Sequence, residues 1–160
     1  MDLPENIGKP ACFLTVYLVK YSAMDERLKR GIREFNEGRF FEAHDILEDL
    51  WQGYREPNRV FLQALIQTAV GFYHLENKNL KGARSQLSKA YAKFGPYLPE
   101  YWGIAVGSLH SSLGECLRVL ESNHEAPERG AEILKRIRIQ FSTGRNTSIS
   151  NLEENSEWRP

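Results

Sequence analysis

Apolar residues recur at helical spacing from Asp25 to Glu121, and polar residues interrupt that spacing at a few pointed places. Over 25–37 the positions Leu28, Ile32 and Phe35 fall at i, i+4 and i+7, which predicts a first helix. Asp25 suits its N-cap and Gly38 its C′ position. A second helix is expected over 39–53, with Phe40, His44, Leu47, Glu48 and Trp51 on one stripe and Glu42, Asp45 and Asp49 solvated opposite. Gly53 and Pro57 punctuate the connection, and Asn58 is the expected N-cap of a third helix over 59–77. No charged residue stands between Val60 and Tyr73, so this helix should be buried nearly all round. Leu80, Ala83, Leu87, Ala90 and Phe94 mark a fourth helix over 79–95, stopped at Gly95-Pro96. PYLPEYWGIAV reads as an ordered connector, and Leu109, Leu113, Leu117 and Leu120 mark a fifth helix over 106–121. The fold expected is an all-α single-domain bundle of about five helices, organised around an antiparallel hairpin of the second and third.

Outside that pattern the chain changes character. The bundle domain is expected over 24–123, after an N-terminal extension over 1–23 and before a C-terminal tail over 124–160. Met24 directly precedes the first helical segment, so a folded domain starting there is one reading of the extension. The run ACFLTVYLV at 11–19 is shorter than the roughly 20 apolar residues a bilayer demands, and it lacks the flanks of a secretory signal. The sequence ILKRIRIQ alternates apolar and basic residues and suits an extended segment lying on the bundle. The polar terminal stretch after it is too poor in large apolar residues to order itself.

Composition narrows the partners. The 160 residues carry 21 Lys plus Arg and 21 Asp plus Glu, a formal net charge of zero. That balance, with no membrane span, argues against a protein devoted to nucleic acid or an anionic membrane. Lys135, Arg136 and Arg138 read as a solvated face. Cys12 and Cys116 lie far apart without metal-ligand spacing, as free thiols of a reducing cytoplasm would. No partner is named by these features. The charge-poor third helix is to be covered either by the fifth helix or by a second subunit, the homo-oligomer alternative.

The candidate chemistry sits on the hairpin. His44 and Glu48 are four apart and share a helix face, while Arg59, Gln63, Gln67, Val70 and His74 form one stripe of the next helix. Folding about residues 55–56 sets Glu48 beside Gln63 and His44 beside Gln67, with Arg59 reaching back to Glu48 or Trp51. Buried without partners, such groups cost about 1–3 kcal/mol each, so they should bond to one another or to a ligand. Three readings stay open. The groups form a buried polar network that holds the hairpin in register. Alternatively, His44, Glu48 and His74 hold a divalent metal, with Glu48 and His44 catalytic in a hydrolase. In that register His74 lies level with Glu37, roughly 10 Å along the helix from His44, which leaves a third ligand unassigned. His110 on the fifth helix has no spacing that recommends it, and His124 lies in a polar linker. Thirdly, GARSQLSKAYAKF has the small-large spacing of tetratricopeptide helices, which points to an interaction module, although no 34-residue repeat is present.

The strings FNEGRFFEAHDILEDLW, RVFLQALIQTAVGFYH and NLKGARSQL closely resemble the domain-of-unknown-function 309 family over about residues 32–94. The match lies in ordered polar positions as well as in hydrophobic spacing: Phe35, Asn36, Gly38, Phe40, His44, Glu48, Trp51, Arg59, Gln63, Gln67, His74, Gly82, Ala83 and Arg84. Ala64 stands where the family commonly has glycine. The resemblance implies an all-helical bundle of uncharacterised function, to which a metal-dependent hydrolase label is sometimes attached. It implies nothing about either terminal extension.

Overall fold

The computed structural model describes residues 25–122, 132–133 and 135–142. The extension before Asp25, His124 and residues 143–160 lie outside the described residues. The described chain is all-α: α1 Glu26–Asn36, α2 Phe40–Gln52, α3 Asn58–Glu76, α4 Leu80–Phe94 and α5 Val106–Glu121, with a short 3-10 turn at Gly95–Tyr97. Among the described residues there are isolated β-bridges but no named strand.

Each helix follows from local chemistry. The Asp25 side chain accepts from the Arg27 amide at 2.9 Å and caps α1. Gly38, at φ +82°, takes the left-handed conformation that lets α1 stop and α2 start two residues later, at Phe40. Asn79 caps α4 by accepting from the Gly82 amide at 3.0 Å. Asn58 does not cap α3 as expected; the N-cap is Pro57, and Asn58 Oδ1 instead accepts from the Tyr101 hydroxyl at 2.6 Å. Tyr97 likewise donates to the Pro57 carbonyl at 2.8 Å, so the 95–104 connector clamps the start of α3. Burial pushes both phenol pKa values up, which keeps these hydroxyls as donors.

The core runs through every helix, from Leu28 and Phe35 to Phe61, Phe72, Leu87, Phe94 and Leu113. Phe35, Phe40 and Phe72 meet ring to ring at 5.2–5.6 Å and tie α1, α2 and α3 together. Gly71 lets α4 close on α3: a Cβ there would stand 2.5 Å from Leu87 Cδ2. In the ILKRIRIQ region the backbone is helical at 132–133 and 135–136 and becomes extended only from Ile137. Ile137 and Ile139 are buried in the core. Among the described residues no helix is long and apolar enough to cross a membrane.

Candidate functional site

The core of α2 uses Phe40, Ala43, Leu47 and Leu50. At 100° per residue, His44, Glu48 and Trp51 lie roughly 90° round the helix from that line. They therefore flank the core rather than enter it. The buried network expected of the sequence is corrected accordingly: the side chain of His44 is 24% exposed and that of Glu48 52%. The third helix is corrected in the same sense. Phe61, Leu62, Ala64, Leu65, Thr68, Ala69, Gly71, Phe72 and Leu75 are buried, whereas the Arg59, Gln63, Gln67, Val70 and His74 stripe is half-buried.

Two cross-helix contacts show how these flanks meet. The Arg59 guanidinium lies 3.5 Å over the Trp51 ring, as its reach back predicts. Phe41 and Tyr73 meet at 5.7 Å between centroids, with 52% and 38% of their surfaces exposed. The first contact joins the end of α2 to the start of α3, and the second joins the start of α2 to the end of α3. The helices are therefore antiparallel. Ten helical residues separate Phe41 from Trp51, so the face between the two contacts is about 15 Å long.

Within that face His44 is held by carboxylates. Its Nδ1 lies 3.0 Å from Asp45 Oδ1 and its Nε2 3.2 Å from Glu48 Oε2. A neutral imidazole has one N–H and serves one of them; an imidazolium serves both. The Phe41 ring stands 6.1 Å away, between His44 and Tyr73. The expected bond from His44 to Gln67 is not made. Instead Gln67 Oε1 is buried without a hydrogen-bond partner among the described residues, and so is Trp51 Nε1. Besides its ring contact, the Arg59 side chain donates to the Tyr54 carbonyl at 3.3 Å.

The structure brings His44 and Glu48 together and does not bring His74 to them. His74 Nδ1 is 3.3 Å from Asn79 Nδ2, beside the first turn of α4. Among the described residues no group of three His, Cys, Asp or Glu side chains is placed to hold a metal ion. His110 is stacked on Tyr91 at 3.8 Å, in contact with α4. Arg136 pairs with Glu132 at 3.5 Å. Sequence reasoning missed Phe41, Asp45 and Tyr73. The signal for Phe41 was its position: of two adjacent phenylalanines on a helix, only one can face the core.

Residues 28–86 match the family described as Domain of unknown function (DUF309), a span that includes α2 and α3 whole. The search of curated proteins found no match. Over residues 28–86 this all-helical chain is similar to the DUF309 family.

Proposed function

We propose that the α2/α3 face binds a short peptide segment, which makes this protein an interaction module. One observation carries the reading: a buried donor, Trp51 Nε1, and a buried acceptor, Gln67 Oε1, stand unmatched on a face that also exposes Phe41 and Tyr73. Each unmatched group costs about 1–3 kcal/mol, which a ligand carrying both a carbonyl and an N–H recovers. A peptide backbone carries both. At about 3.3 Å per residue, four to five extended residues span the 15 Å between Phe41 and Trp51. Glu48 and Asp45 stand beside His44 on this face, so the segment carries at least one basic residue.

The test is selection of displayed random peptides on the full chain, followed by binding to Phe41→Ala/Tyr73→Ala and Gln67→Leu. Selected peptides should lose at least about tenfold in affinity on both variants, with Gln67→Leu melting no lower than wild type. Enriched peptides indifferent to both variants would refute the reading. A Gln67→Leu chain that melts far lower would return Gln67 to a scaffold role.

The metal-dependent hydrolase alternative has one specific support. The 3.2 Å between His44 Nε2 and Glu48 Oε2 suits neighbouring ligands of one tetrahedral ion. His44 and Glu48 would be its ligands and catalytic groups, and His74 would have to leave Asn79 to join them. Zn²⁺ titration by calorimetry tests it: stoichiometric binding lost in His44→Ala and in Glu48→Ala would favour this reading over the peptide face.

A further inference from the structure

Asn36 has a task that the hairpin face does not explain. At the end of α1 its side chain donates from Nδ2 to the Ile139 carbonyl at 2.9 Å and accepts at Oδ1 from the Ile139 amide at 2.8 Å. These are the two bonds that a facing residue of an antiparallel strand exchanges with its partner. One amide side chain thus stands in for a strand. The segment it holds alternates strictly. Ile137 and Ile139 point into the core and Phe141 is half-buried, while Arg138 and Gln140 face solvent. On the other side the Ala105 amide donates to the Gln140 carbonyl at 2.9 Å, and the Ser142 amide donates to the Gly103 carbonyl at 3.0 Å.

All four of these bonds are made to backbone atoms of the 137–142 segment. What the groove reads is an extended backbone plus isoleucine at alternate positions. The fit is incomplete where the segment begins. A cavity of about 80 Å³ remains between Ser112, Glu115 and Cys116 of α5 and Ile133, Arg136 and Ile137. Asn36 lies inside the span of the family match and the segment it holds lies outside it.

We propose that the groove at Asn36 accepts the 137–142 segment of a second copy of this chain, in exchange for its own. The second copy's segment satisfies every contact above by construction. Exchange of an identical element is a low-cost route to a dimer. The contacts per protomer are the same in both states, so concentration decides between them.

Two full-length variants test this. One has a sound groove and a broken segment, Ile137→Asp/Ile139→Asp. The other has a sound segment and a broken groove, Asn36→Ala. Each is studied alone and as an equimolar mixture by native mass spectrometry and thermal melting. The expected result is a 1:1 heterodimer in the mixture, with the melting temperature of the segment-broken chain raised towards wild type. Adding Asn36→Ala to the segment-broken chain should reduce the heterodimer about tenfold or more. A mixture that stays monomeric overturns the proposal. So does a segment-broken chain that no longer melts cooperatively, because the segment is then a fixed part of the core. A heterodimer unaffected by the added Asn36→Ala also overturns it, by placing the contact elsewhere.

Discussion

Gly71→Ala should destabilise the protein, although alanine is the better helix former. The added Cβ would lie 2.5 Å from Leu87 Cδ2, 2.6 Å from Leu87 Cγ and 3.4 Å from the Leu87 amide nitrogen. Comfortable carbon contacts are about 3.5–4.0 Å, so the overlap is roughly 1 Å. Turning the end of the leucine does not relieve it, because Cγ itself is too close. Leu87 is fully buried, so either its first side-chain torsion changes inside a packed core or α3 and α4 move apart. Overpacking of this kind costs about 1–3 kcal/mol. The helix-propensity gain returns about 1 kcal/mol. The net loss is up to about 2 kcal/mol, and at about 2–4 °C per kcal/mol the melting temperature falls by up to about 8 °C. Gly53→Ala is the internal control. Its Cβ would come no nearer than 3.6 Å to a residue not adjacent in sequence, at the Leu50 carbonyl oxygen, and the backbone there is right-handed helical at φ −84° and ψ −10°. That change should stabilise by about 0.4–1 kcal/mol. Urea and thermal unfolding followed by circular dichroism measure both. A Gly71→Ala chain as stable as wild type, beside a stabilised Gly53→Ala, would show that Gly71 does not set the spacing of α3 and α4.

The Asp25 carboxyl is held below the usual aspartate range, first by the side-chain bond from Arg27 and also by the Arg27 amide, against a smaller opposing effect of burial. A depressed folded value contributes stability above the unfolded pKa and loses it as pH falls through the folded one. Asp25→Asn keeps a capping side chain and removes the charge, so its deficit against wild type should be constant at neutral pH and vanish in acid. Acid-to-neutral urea titrations check this, and a deficit that persists at the lowest pH would refute it. Burial pushes the Cys116 thiol up to about 12, with a smaller contribution from Glu115. Its raised value favours the folded state below the unfolded thiol pKa, a contribution lost as pH rises towards 12. Peptide mapping should find Cys116 unmodified by a thiol reagent at pH 8 and fully modified in denaturant. Labelling of the folded chain at the denatured rate would contradict that burial.

The sequence by itself determined the helices, because their causes are local. Leu28, Ile32 and Phe35 fall on one face by spacing alone, Asp25 caps its own helix, and Gly38 turns one helix into the next. It also determined which face of the hairpin carries polar chemistry, and that Arg59 reaches back towards Glu48 or Trp51, because a short connection forces α2 and α3 to be antiparallel neighbours; the structure chose Trp51. Depth was decided only by the tertiary structure. His44 and Glu48 share a helix face with Leu47 in the pattern, yet the core takes the line through Ala43 and Leu50, and a rotation of about 90° separates a sealed network from an open face. The same holds for His74. Its place on the α3 stripe was legible, whereas the partner that takes it away from His44 is Asn79, set by the approach of α4. The bond between Asn36 and Ile139 joins residues about a hundred positions apart, and no local pattern encodes it. Spacing fixes what a residue can face within its own helix. Which neighbour fills that direction depends on how all five helices and the extended segment share one core.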